Sequence, residues 1–206
     1  PGFPGYANIR FTYALDGQGG LHVRYWAKAD QDTVFNMTNH SYFNLAGHQH
    51  PDRAVQQVLS MPARHFCPDD AQNIPTGELR DVSGSPMDFR VPKPISQDID
   101  ADYDALKLQG GYDHNWEVFC NPCATLTDPA SGRCLCVYTD CPGIQFYSGN
   151  YLNDQGKDGV HYGRNSGMAL ETQFYPDCLH HPDWDQPVTK ANTVYKSETV
   201  YRFSCK

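Results

Sequence analysis

The chain has 206 residues, with 16 Lys+Arg against 24 Asp+Glu for a formal charge of −8, 39% hydrophobic residues and 13% aromatics. An aromatic-rich, charge-poor composition excludes general disorder, and the acidic balance excludes a sequence-wide counterion for nucleic acid or an anionic membrane surface. No run reaches the roughly 18 apolar residues of a membrane-spanning helix, and the length fits one large domain or two small ones.

From the N-terminus, period-2 alternation rich in β-branched and aromatic residues predicts strands over 8–15, 21–29, 33–38 and 55–61. The turn Asp16-Gly17-Gln18-Gly19-Gly20 separates the first two. The stretch 62–94 holds six prolines and breaks the alternation. It reads as an irregular segment that either covers a sheet edge or forms a binding surface. A short helical turn is predicted over 102–108, followed by strands over 116–119, 134–138, 144–147, 168–172 and 193–203. Long 3.6-period apolar stripes are nearly absent, and neither a linker nor an internal repeat is evident. Many short strands with Gly and Pro punctuation predict an all-β fold, a sandwich or barrel.

Eight cysteines are about 4% of the chain, below the roughly 8–10% of disulfide scaffolds, which points to thiols in a reducing, cytoplasmic compartment. The competing reading is zinc, because Cys120-Asn121-Pro122-Cys123 has the spacing of a zinc knuckle and Cys134-Leu135-Cys136 follows. Against it, the second pair has one intervening residue and is expected to share neither a strand face nor a tight turn. His180-His181 reads as a solvated loop, since adjacent histidines cannot share a strand face. Gly19-Gly20 and Gly110-Gly111 lack the helix that a phosphate-binding loop needs, and there is no G-x-S-x-G elbow and no H-E-x-x-H motif.

Four polar clusters carry the candidate chemistry: 39–45 around His40, 110–116 around Asp113 and His114, 142–150 around Gln145, and 169–173 around Glu171. Their hydroxyls, amides and aromatic rings suit a neutral polyhydroxyl ligand, with directional hydrogen bonds fixing its orientation. A histidine at a strand end is commonly structural. Glu171, in an otherwise apolar strand, must be paired or used.

The segments Asn39-His40-Ser41-Tyr42-Phe43-Asn44-Leu45-Ala46-Gly47, Ile74-Pro75-Thr76-Gly77, Gly111-Tyr112-Asp113-His114-Asn115, Pro142-Gly143-Ile144-Gln145-Phe146-Tyr147-Ser148-Gly149-Asn150 and Leu170-Glu171-Thr172-Gln173 together resemble the aldose 1-epimerase, or galactose mutarotase, family. The resemblance implies a large antiparallel β-sandwich, no metal or organic cofactor, and interconversion of the α and β anomers of a free aldose. It makes Glu171 the general base and His40 the general acid. Asp113 and Gln145 then hydrogen-bond sugar hydroxyls, and Ser41 and Tyr42 flank the catalytic histidine in the binding motif. His114 is a neighbour of Asp113 without an assigned role.

The family's N-terminal Asn-Arg pair and Leu-His-Gly-Gly motif are not found here: Leu21-His22 is followed by Val23-Arg24, and Pro1-Gly2-Phe3-Pro4-Gly5 resembles the connection into the family's second half. Residues 1–206 are thus expected to form a single-domain portion covering the C-terminal three fifths of such a sandwich, partnered by an N-terminal segment of the same polypeptide. Two alternatives accompany the epimerase reading. One is a noncatalytic carbohydrate-binding module, and the other a sugar-phosphate epimerase relying on Arg64, Arg80 and Arg90.

Overall fold

The computed structural model describes residues 2–205, so Pro1 of the opening segment lies outside the described residues. Its strands begin with β1 (Ala7–Leu15), β2 (Gly20–Ala29), β3 (Thr33–Val34), β4 (Tyr42–Phe43), β5 (Val58–Ser60), β6 (His65–Cys67), β7 (Arg80–Asp81) and β8 (Lys93–Pro94). After helix α1 (Asp104–Gln109) come β9 (Asp113–Glu117), β10 (Ala124–Thr127), β11 (Arg133–Thr139), β12 (Gly143–Tyr147) and β13 (Asp154–Gln155). The last four are β14 (His161–Tyr162), β15 (Met168–Gln173), β16 (Val188–Thr189) and β17 (Val194–Cys205).

Two sheets face each other. One has seven strands in the order β1-β2-β17-β11-β10-β5-β8, the other six in the order β4-β15-β12-β9-β6-β7, and the pairings within both are antiparallel. The layers meet where the Tyr201 hydroxyl of β17 donates to the Leu170 carbonyl of β15 at 2.8 Å and where Phe43 packs on Tyr201. The expected all-β sandwich is therefore the fold.

Alternation decides which side chains the sandwich encloses. On the six-stranded sheet, Phe66, Trp116, Ile144, Phe146 and Leu170 point inward and are essentially inaccessible. Burying each such side chain contributes about 1.5–3 kcal/mol. The odd-numbered partners in β9, β12 and β15 point to the opposite, outer face.

The proline-rich stretch 62–94 does more than cover an edge. It supplies β6, β7 and β8 and sends Val82, Met87 and Phe89 into the core, where Trp116 Nε1 donates to the Met87 carbonyl at 3.1 Å. Its mixture of prolines and apolar residues lacks a period because, Phe66 on β6 aside, core side chains such as Val82, Met87 and Phe89 come from irregular backbone between short strands. Residues 33–38 form a strand only at Thr33–Val34, and residues 51–56 form a 3-10 turn ahead of β5. Gly110 ends α1 with φ +65°, a left-handed cap that releases the chain into β9.

The strand geometry corrects the cysteine argument. Residues two apart on a strand share a face, and the Sγ atoms of Cys134 and Cys136 lie 4.0 Å apart on β11. Cys120 is exposed while Cys123 is buried, and no group of three or more His, Cys, Asp or Glu among the described residues is placed to hold a metal ion.

Candidate active site

The outer face of the six-stranded sheet is a lattice of side chains fixed by register. Glu171 on β15 lies opposite Gln145 on β12, which lies opposite Asn115 on β9, which lies opposite Cys67 on β6. Two residues along, Tyr42 on β4, Ala169, Tyr147 and Asp113 form a second row. Neighbouring strands are about 4.8 Å apart, so four clusters scattered over 130 residues of sequence converge on one surface. His40 precedes Tyr42 by two residues, and continuing the β4–β15 register brings it beside Glu171.

There, His40 Nε2 lies 3.4 Å from Glu171 Oε1. The two differ in exposure: the His40 side chain is 51% exposed and the Glu171 side chain 11%. The His40 ring is bracketed by Tyr42, at 5.0 Å between centroids, and by the edge of Tyr147, at 6.0 Å. Burial pushes the Glu171 carboxyl up to about 7; His40 pulls it back and Asp113 adds to the rise. Burial also raises Asp113, whose Oδ1 accepts from Gln145 Nε2 at 2.9 Å.

Of the six expected site residues, His40, Tyr42, Asp113, Gln145 and Glu171 are brought together. Ser41 is exposed, and its N–H donates to Asn39 Oδ1 at 3.0 Å, closing the turn that presents His40. His114 is not part of the site. It points inward at 1% exposure, its ring edge-on to Phe66 and Trp116, and burial drops its pKa to about 3. Its Nδ1 accepts from the Asp113 N–H at 3.2 Å, which makes it a neutral support for the strand carrying Asp113.

Three residues on this surface are given no role by the motifs. Tyr147 and Asn115 follow from period 2, standing two residues from Gln145 and Asp113 respectively. Asp69 does not, because its position depends on the pairing of β6 with β9. It lines a cavity of about 160 Å³ together with Gln109, Asp113, Asn115 and Gln145. Asp69 Oδ2 accepts from Gln109 Nε2 at 2.7 Å, while burial, with Asp113 and Asp70 adding to it, pushes its pKa up to about 6. Gly143 keeps the floor of this surface low: a Cβ there would come within 2.6 Å of Asn115 Nδ2 and 2.7 Å of the Tyr175 ring. A larger cavity of about 410 Å³, lined by Asn44, His48, Leu152 and Ser166, touches this surface only at Tyr42.

Comparison with known proteins places this geometry in a family context. The family model described as aldose 1-epimerase matches residues 1–202. Human galactose mutarotase is 40% identical over 212 residues, covering 98% of this chain and 59% of the relative. The aldose 1-epimerase of Haemophilus influenzae is 37% identical, covering 98% and 61%. Among solved structures, an aldose epimerase homologue from C. elegans superposes with a TM-score of 0.88 at 28% identity, covering 99% of this chain and 62% of that one. Galactose 1-epimerase from Lactobacillus acidophilus superposes with a TM-score of 0.87 at 30% identity, covering 98% and 58%. The chain spans about three fifths of the length of the curated relatives it matches.

Proposed function

The chain belongs to the aldose 1-epimerase family, and on that premise we propose that it interconverts the α and β anomers of free aldoses by acid–base ring opening and closure. The observation that carries the reading is the His40–Glu171 pair, 3.4 Å apart at the edge of a polar cleft. Opening a hemiacetal removes the proton of the C1 hydroxyl and protonates the ring oxygen. Both oxygens are bonded to C1, so acid and base must stand side by side, as these two do.

Glu171 takes the hydroxyl proton and the imidazolium of His40 delivers a proton to the ring oxygen, leaving an open-chain aldehyde. Rotation about C1–C2 turns the other carbonyl face toward the C5 hydroxyl. Ring closure then returns both protons by the reverse transfers, so nothing is consumed. Each transfer contributes about 10²–10⁴-fold. A carboxylate held near 7 by burial is a stronger base than one in water and is about half ionised at neutral pH. Ionisation of Glu171 then sets the acid limb of the activity profile, which climbs as pH rises toward about 7.

Asp113, Gln145 and Tyr42 orient the sugar, the carboxylate and amide through its hydroxyls and the ring through its C–H surface. The open side of His40 is where a further segment, of the same polypeptide or another chain, would complete the cleft and improve positioning. The sugar-phosphate alternative finds little support. Arg80 is engaged by Glu78 and Asp104, Arg90 by Asp88, and Arg64 lies over the Phe119 ring. The thiol-rich composition supports a reducing, cytoplasmic setting, and no helix among the described residues is long and apolar enough to cross a membrane.

Polarimetry of freshly dissolved α-glucose and α-galactose tests the proposal. Wild-type protein is expected to speed the approach to anomeric equilibrium, and Glu171→Gln and His40→Asn each to lower kcat by about 10²–10⁴-fold without loss of thermal stability. Full rate in either variant removes that residue from its role.

A further inference from the structure

We propose that Asp69 is a further substrate-binding residue of this site and reads the hydroxyl on C4 of the sugar, so that it helps to set the choice between aldoses that are epimers at C4. This inference rests on the epimerase reading above.

The argument begins with register. Cys67 pairs with Asn115, and continuing that antiparallel count by two residues sets Asp69 opposite Asp113. Asp69 therefore extends the row Tyr42, Ala169, Tyr147, Asp113 by one more strand position, at the end of the cleft remote from His40 and Glu171. The reacting C1–O5 bond must lie between His40 and Glu171. In a six-membered ring the bond facing C1–O5 is C3–C4, so the C3 and C4 hydroxyls are directed toward the end of the cleft where Asp113 and Asp69 stand.

The chemistry of the cavity at that end supports a hydroxyl ligand. Asn115 is 2% exposed, and its Oδ1, like Gln145 Oε1, is buried without a hydrogen-bond partner among the described residues. Both residues line the cavity that Asp69 and Asp113 share. Two carboxylates and two unpaired amide oxygens are acceptors, and buried acceptors left unpaired are destabilising. What satisfies them is a donor without negative charge, which the O–H groups of a neutral sugar supply. Gln109 Nε2 holds one oxygen of Asp69, Oδ2, and leaves Oδ1 for the ligand.

The test compares glucose, galactose and 4-deoxyglucose by polarimetry, using wild-type protein, Asp69→Asn and the double variant Asp69→Leu/Gln109→Leu. The double variant replaces both members of the buried pair, so neither is left unpaired, and thermal melting identifies any variant that fails to fold. Loss of a hydrogen bond to a charged group corresponds to about 10–100-fold. The expected result is a loss of that size in kcat/KM, carried by KM, for at least one of the two sugars with a C4 hydroxyl, with 4-deoxyglucose unchanged. An equal loss for 4-deoxyglucose, or no loss for any sugar, overturns the assignment. Wild-type protein that accelerates none of the three overturns the epimerase reading instead. In that case calorimetric affinities for the same sugars and variants decide Asp69 by the same criterion, and absence of binding to all three sugars overturns both.

Discussion

The two faces of the six-stranded sheet are built on the same ladder of backbone hydrogen bonds, yet they treat charge in different ways. On the inner face of β9 stand His114 and Trp116, and on the outer face Asp113 and Asn115. Inside, a titratable ring is kept neutral among aromatic neighbours. Outside, carboxylates are half enclosed beside a cleft, and the amide oxygens of Asn115 and Gln145 have no donor among the described residues. Burial penalises the charged form on both faces. Its effect is downward for the inner histidine, to about 3, and upward for the outer Glu171, to about 7. The lesson is that one sheet carries a neutral, packed layer on one side and titratable carboxyl groups beside a cleft on the other.

The largest expected effects lie on the inner face. Phe146→Ala should cost about 3–5 kcal/mol in denaturant unfolding, as for other fully buried aromatics. His114 adds a pH dependence. Its folded-state pKa lies below its ordinary 6.5, so the unfolded chain holds the extra proton. Its contribution is fully present above pH 6.5 and is lost as pH falls toward about 3, by roughly 2–5 kcal/mol. His114→Phe should flatten that acid limb, although it costs about 1–3 kcal/mol at pH 7 because the Asp113 N–H loses an acceptor. An acid limb unchanged in His114→Phe would break the contrast between the faces.

The outer face should show the opposite slope. Glu171 binds its proton more tightly folded than unfolded, so its contribution is present below pH 4.5 and lost as pH rises through about 7. Glu171→Gln, the variant expected to lose catalysis, should then be more stable than wild type by about 1–3 kcal/mol at pH 8 and equal to it at pH 4. Melting temperatures at the two pH values check this. Between pH 4.5 and 6.5 the two groups work against each other, so the wild-type curve should be flattest there.

Much of this was legible in the sequence. Period 2 exposed the long strands, and the resemblance picked out His40, Asp113, Gln145 and Glu171 as one site. What escaped depended on pairings between distant segments. The stretch 62–94 has no period because Met87 and Phe89 reach the core from irregular backbone. Asp69 becomes part of the site only once Cys67 is known to pair with Asn115, 48 residues away. His114 is the reverse case: adjacency to Asp113 in sequence puts it on the opposite face of the strand.

The smallest expected effect tests whether orientation or coverage makes the inner face stabilising. In the seven-stranded sheet, Ile9, Phe11 and Tyr13 of β1 pair with Ala27, Tyr25 and Val23, so by register they point to the same inward side. Those β2 partners are 0–3% exposed, whereas Ile9, Phe11 and Tyr13 are 49%, 54% and 59% exposed. β1 is the outermost strand of its sheet, and its inward side extends past the part of the sandwich that is enclosed. If coverage is the cause, Phe11→Thr and Tyr13→Thr should change unfolding free energy by only about 0.5 kcal/mol, within the range of ordinary surface substitutions and far below the cost of Phe146→Ala. The same changes should reduce self-association in sedimentation, because an apolar edge strand is a template for pairing with another chain. A loss of several kcal/mol from Phe11→Thr would mean that β1 is already covered in solution, and the difference between enclosed and open inner faces would disappear.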